Sequence, residues 1–87
     1  MYEIQPYTRQ RAREIGVTVE PSSVKGKKID VFADGHKIAS IGAIGYKDFP
    51  TFTKDEGPAA AEEHRRRYRM RHSKKTLGEM LALWLLW

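Results

Sequence analysis

The chain contains no cysteine. That excludes a disulfide framework and a thiolate metal site, and it argues against a disulfide-stapled secreted scaffold. No stretch approaches the ~20 apolar residues that cross a bilayer. The opening MYEIQPYTRQ lacks the apolar segment of a signal peptide. There are no internal repeats and no low-complexity tracts. His36, His64 and His72 include no i, i+4 pair, so a zinc site is not expected. Gly42-Ala43-Ile44-Gly45 is too short to cradle a phosphate. The carboxylates are scattered, and no nucleophile stands with a base and an orienting group. Asp30, Asp34 and Lys37 on one hairpin are the nearest approach to a nuclease-like acid–base set, at a spacing without specificity. A non-enzymatic protein with no cofactor is the expectation.

What is present is a basic chain of 87 residues with a net charge of +5 and a hydrophobic fraction of 40%. The length allows one small domain with a thin core. The charge favours acidic partners: nucleic acid, an acidic protein face or an anionic membrane.

Residues 1–15 mix Tyr2, Ile4 and Tyr7 with Arg9, Arg11 and Arg13. They read as a basic, aromatic arm with one helical turn near Thr8 to Glu14, or else as a strand pairing with the sheet. Residues 16–87 read as one α+β domain. Val17 and Val19 alternate with Thr18 and Glu20, and Ile29, Val31 and Ala33 share one strand face. Asp34-Gly35 is the strongest turn signal and predicts a hairpin. The return strand runs from His36 to Ile41, with Ile38, Ile41 and Ile44 as its apolar positions. Residues 42–53 form a connector whose Tyr46, Phe49 and Phe52 point inward to seal sheet against helix. Pro50 excludes a regular central strand there.

Two start signals compete for the main helix over 54–72. Gly57-Pro58, which puts proline where its missing N–H is harmless, is preferred over the Thr53/Glu56 capping box. Ala61, Tyr68 and His72 fall on the stripe expected to face inward. Thr76 and Glu79 form a second capping box ahead of LGEMLALWLLW, a short apolar helix. The expected fold is a two- to three-stranded antiparallel sheet packed by one basic helix and this apolar one.

Two features carry a functional reading. The run from His64 to Lys75 holds Arg65, Arg66, Arg67, Arg69, Arg71, Lys74 and Lys75. Guanidinium forks match phosphate oxygens, which suits a polyanion, though such contacts position rather than read sequence. A solvated helix partly neutralised by Glu62 and Glu63 is the plain alternative. Arg9, Arg11 and Arg13 of the arm extend the binding set. The apolar end suits packing on the sheet, and Leu81, Trp84, Leu85 and Trp87 also suit an interface with a second copy or a partner. Base beside Leu and Trp further suits an interfacial membrane anchor, the last of the alternatives.

A resemblance joins these pieces. Gly42, Gly45, Tyr46 and Asp48, then Thr53-Lys54-Asp55, then Tyr68, Arg71 and His72, then Leu85-Leu86-Trp87 resemble a small uncharacterised protein family of large DNA viruses and phages. The likeness covers about residues 28–87. Gly57-Pro58-Ala59-Ala60 departs from it, since the family usually continues with charged residues there, and residues 1–27 have no counterpart. The resemblance implies a structural, virion-associated protein located in the virion or host cytoplasm. Its partners would be other capsid proteins or itself, with nucleic acid as a further one. It also implies that Tyr46, Asp48, Tyr68 and His72 form a structural set, with an Asp48–His72 contact as the simplest form. A DNA-binding accessory protein and an inhibitor of a host protein are the other functions in view.

Overall fold

The computed structural model describes residues 2–72 and 76–87. The chain is an α+β fold. It runs α1 (Pro6–Ile15), β1 (Thr18–Pro21), β2 (Lys27–Ala33), β3 (His36–Ala43), α2 (Phe49–Glu56), α3 (Pro58–Arg71) and α4 (Leu77–Leu85). The three strands form one antiparallel sheet in the order β1-β2-β3.

The hairpin forms where the sequence predicts. Asp34 and Gly35 both take positive φ, 51° and 79°, as a two-residue turn matched to the sheet twist requires. Val19 pairs with Val31 and Ile29 with Ile41, which gathers the core-facing side chains of all three strands. Ile29, Val31 and Ile41 are buried against Leu81, Ala82, Leu85, Leu86 and Trp87. Ile38 and Ile44 are exposed instead.

Two expectations are corrected. The N-terminal segment is neither a largely extended arm nor a strand; the helical turn expected near Thr8 to Glu14 is part of a ten-residue helix. Ile4, Thr8 and Ala12 recur at helical spacing and are buried, so this segment is part of the core. Pro6 sits in its first turn, and Gly16, at φ 75°, ends it. The connector is also partly helical. Asp48 caps α2 by accepting from the Thr51 N–H at 3.1 Å, and Pro50 falls within the first turn. Phe49 and Phe52 pack on the core as expected, but Tyr46 is 76% exposed. It lies in the turn before Asp48, too far out to seal anything.

The helix starts inferred at Gly57-Pro58 and at Thr76/Glu79 are the observed ones. Gly57 caps α3 at φ 95°, and the Thr76 hydroxyl accepts from the Glu79 N–H at 3.1 Å. Helix α4 has no left-handed residue at its C-terminus. Its terminal carbonyls are instead taken by other elements. Arg11 Nε donates to Trp84 O at 2.7 Å, and the Thr8 hydroxyl donates to Leu85 O at 2.8 Å. The Phe49 N–H donates to Leu86 O at 2.9 Å.

Gly42 sits where this C-terminal turn meets the sheet. Its φ is 78°, and a Cβ there would lie 2.9 Å from both Leu86 Cδ1 and Lys28 Cδ. Gly42→Ala should lose about 1–2 kcal/mol to the left-handed backbone and about 1–3 kcal/mol more to overpacking. Denaturant titration should place Gly42→Ala well below Gly35→Ala, which meets nothing within 4 Å; equal losses would contradict this packing.

Candidate functional site

Helix α3 carries the arginines, and most of them are already engaged. Glu63 takes Arg66 through two contacts, of 2.7 and 3.2 Å, and Arg67 through a third of 3.1 Å. Arg65 lies 3.4 Å from Glu62, and its guanidinium covers the Phe49 ring at 3.7 Å. Arg69 reaches Trp87 O at 3.5 Å. Arg71 is exposed and makes no hydrogen bond or ion pair among the described residues. Lys74 and Lys75 lie outside the described residues. Arg9 and Arg13 are exposed on α1, away from α3's cleft, and Arg11 is held in a clasp with Trp84. In that clasp the guanidinium sits 3.7 Å over the indole, and Trp84 Nε1 donates back to Arg11 O at 3.1 Å. The base is thus divided among several faces.

The apolar candidates divide too. Leu81, Leu85 and Trp87 are buried in the chain's own core, so the interface expected of them is corrected; Trp84 alone keeps an exposed face.

What the structure brings together is one cleft of about 480 Å³ between α3, the β3–α2 turn and the C-terminal residues. Arg67 and Arg71, one turn apart, stand on its α3 wall, with Lys28 and Lys47 on the other side. Asp48 is the only carboxylate among its described lining residues. The rest of the wall is aromatic. Tyr68 stacks on Trp87 at 4.2 Å and on His72 at 4.0 Å, and His64 stacks on Phe52 at 3.7 Å.

Asp48 is neutralised in place. Lys28 Nζ lies 3.1 Å from its Oδ2 and also donates to Tyr46 O. The Tyr2 hydroxyl donates to Oδ2 at 2.5 Å and the Thr51 hydroxyl to Oδ1 at 2.6 Å. Burial pushes the Asp48 carboxyl up, but the Thr51 and Tyr2 hydroxyls and the Lys28 ammonium outweigh it and hold it below its ordinary range. Burial, with the Asp48 carboxylate beside it, pushes the Tyr2 phenol well up. Tyr46, Asp48, Tyr68 and His72 do line one cleft, but the Asp48–His72 contact is not there. Asp48 is turned to Tyr2, Lys28 and Thr51, and His72 lies on Tyr68.

The hairpin carboxylates do not make a second site. Asp30 is buried, and its oxygens accept from the Ser22 and Ser40 hydroxyls at 2.6 and 2.7 Å and from the Ser23 N–H at 3.2 Å. Asp34 belongs to the turn. Among the described residues no three His, Asp or Glu side chains gather as a metal site, and no helix is long and apolar enough to cross a membrane.

The arginine density was plain in the sequence; the cleft was not. Its signal was Tyr68 and His72 four residues apart, a spacing that brings two rings together at the end of α3. The pairing of Lys28 with Asp48 gave no signal, because the two partners lie 20 residues apart.

No known protein family, no curated protein and no solved structure matches the chain.

Two outcomes follow from the buried charges. Asp48→Ala leaves the Lys28 ammonium without its carboxylate and α2 without its cap, so it should cost about 3–5 kcal/mol. Lys28→Met should cost clearly less, because Tyr2 and Thr51 still hydrogen-bond the carboxylate; the reverse order in urea titrations would contradict this account. The second concerns acid. Ser22 and Ser40 hold the Asp30 carboxyl far below its ordinary range, and Asp48 is depressed as well. Both groups therefore stabilise the fold above the unfolded carboxylate pKa of about 3.9, and that stabilisation is lost as pH falls below it towards the folded values. Stability measured from pH 6 to pH 2.5 should drop, and Asp30→Asn should show a shallower acid drop than the parent.

Proposed function

We propose that this chain is a non-enzymatic binding protein that takes nucleic acid on the α3 wall of the cleft. It would do so as a virion-associated component or an accessory protein in the infected cell, as the sequence resemblance implies. The observation that carries this reading is the charge balance of the cleft. Arg67, Arg71 and Lys47 stand around a concave surface whose single carboxylate is already matched by Lys28. A polyanion meets net positive charge there and only one buried acid.

The carboxylates on the rim do not oppose this. The side chains of Arg67 and Glu63 are 59% and 44% exposed, and Lys47 lies among the equally exposed Asp55 and Glu56. Exposed pairs of this kind are worth about 0–1 kcal/mol. A phosphate that accepts both forks of a guanidinium competes with them at little penalty.

A second reading rests on a different observation. Met70, Leu77, Met80 and Trp84 are large apolar side chains left exposed on α3 and α4. Such groups beside arginine suit a protein partner, which in the virion reading is another capsid protein or a second copy. Ordinary binding through that face would survive nuclease treatment.

Fluorescence anisotropy with a labelled oligonucleotide tests the first reading. Three phosphates held on a single strand predict a log K against log salt slope of about −2. Arg67→Ala and Arg71→Ala should each weaken binding about tenfold or more, since a hydrogen bond to a charged group is worth about 1.5–3 kcal/mol. Binding that ignores both salt and these substitutions would remove nucleic acid as the partner and leave the protein-partner reading.

A further inference from the structure

We infer that the cleft is a slot for an unpaired nucleobase, with the phosphate next to that base held by Arg67 and Arg71. This rests on the reading that the partner is nucleic acid, and it adds which form of nucleic acid is taken and how.

The argument starts from the ring ladder. A planar ring has two faces. The Tyr68 ring lies within 11° of parallel to Trp87 and within 23° of parallel to His72, both about 4 Å away. Two rings stacked that closely on one ring must occupy its opposite faces. The order is therefore Trp87–Tyr68–His72. The inner end is closed, because Trp87 is buried against the core. The outer end is the His72 imidazole, which is exposed. A stack built from a buried indole outward to an exposed ring is a platform that one more flat ring can extend.

The facing wall supplies a second exposed ring. Tyr46 follows Gly45, whose φ is 96°, in the turn that leads into Asp48. Its backbone carbonyl is fixed by the buried Lys28 ammonium, yet its side chain is 76% exposed and has no part in the core. An aromatic side chain held on an anchored backbone but left in water is open to a ligand. It lines the same cleft as His72. A volume of about 480 Å³ falls within the ~300–1,000 Å³ of small-molecule sites, so one base with its sugar can enter.

The cations are placed to match. Arg67 and Arg71 line the same cleft as Tyr68 and His72, and both are exposed. A base resting on His72 leaves its sugar–phosphate at the rim, where these two groups are exposed. A base inside a duplex has both faces covered by its neighbours and cannot enter, so the slot selects single strands or free nucleotides. Stacking is tolerant of sequence, because every base offers a π face, so little base preference is expected beyond stacking strength.

The test uses the full chain and four probes: a labelled 12-mer of deoxyadenylate, an abasic 12-mer of equal charge, a 12-base-pair duplex, and adenosine monophosphate as competitor. The deoxyadenylate strand should bind about tenfold or more tightly than the abasic strand, the size expected for one stacked base. His72→Ala and Tyr46→Ala, both at exposed positions, should abolish that difference without lowering the melting temperature. Lys25→Ala, which removes an exposed charge that does not line the cleft, should keep it. Competition by the mononucleotide at concentrations near those of the strand would support the slot and assign it to free nucleotide. Equal affinity for base-bearing and abasic strands, or for strand and duplex, would overturn the slot while leaving a polyanion site intact. Failure to bind any of the probes would overturn the site as well.

Discussion

The fold depends on how the C-terminal end of α4 is closed. A helix leaves its last carbonyls without internal partners. Here no glycine turns back to satisfy them, and Leu85, Leu86 and Trp87 are buried. The rest of the chain supplies the donors instead. Trp84 O and Leu85 O are taken by Arg11 and Thr8 of α1, Leu86 O by the first N–H of α2, and Trp87 O by Arg69 of α3. Leu85 and Leu86 are meanwhile buried against the sheet. One short apolar segment therefore fixes the positions of three helices at once. The apolar burial supplies the driving force, at about 1.5–3 kcal/mol for each fully buried large side chain. The four carbonyls supply direction, since a buried carbonyl left unpaired would carry a penalty of its own.

Closure of this kind explains how a thin core can support a defined cleft. Trp87 is the floor of the ring ladder and also part of the core. The orientation of α3 is set on one side by Trp87 against Tyr68, and on the other by Arg65 over Phe49. The opposite wall is set by Lys28 and Asp48, whose buried pair ties β2 to the start of α2. Gly42 leaves the room in which Leu86 and Lys28 meet. The cleft is thus the outer surface of contacts that hold the domain together, and its rings and cations are positioned by buried and half-buried groups.

Much of this was legible in the sequence, and what was not has identifiable causes. Asp34-Gly35, Gly57-Pro58 and Thr76/Glu79 are local signals, and each marks the boundary it suggests. The alternation through Ile29 and Val31 locates the core face of β2. Helix α1 was harder to see because its buried stripe is Ile4, Thr8 and Ala12. A threonine and an alanine carry little hydrophobic signal, and they are there because α1 approaches α4 closely and must donate to Leu85 O. Helix α2 was hidden by Pro50 and the glycines before it, which read as a connector. The proline is compatible with helix only because Asp48 starts the helix just before it. Lys28 is misread by any pattern rule, since a lysine in a strand belongs on the solvent face unless a distant carboxylate waits for it.

The arginine run teaches the opposite lesson, that a strong compositional signal need not define one surface. Counted along the chain, the bases form a single block. In three dimensions they separate by function. Arg65 and Arg11 are packing residues whose planar groups lie on aromatic rings. Arg69 closes a helix end, and Arg66 is held by a bidentate pair with Glu63. Among the described arginines, Arg67 and Arg71 are the two that line the cleft, and both are exposed. The four-residue spacing that places these two together also places Tyr68 and His72 together, one step round the helix. Charge and stacking are therefore offered by adjacent strips of one element. The rings also hold the helix in place, since Tyr68 stacks on Trp87 and His64 on Phe52, so the strip that anchors α3 to the core lies directly beside the strip that carries its exposed charge.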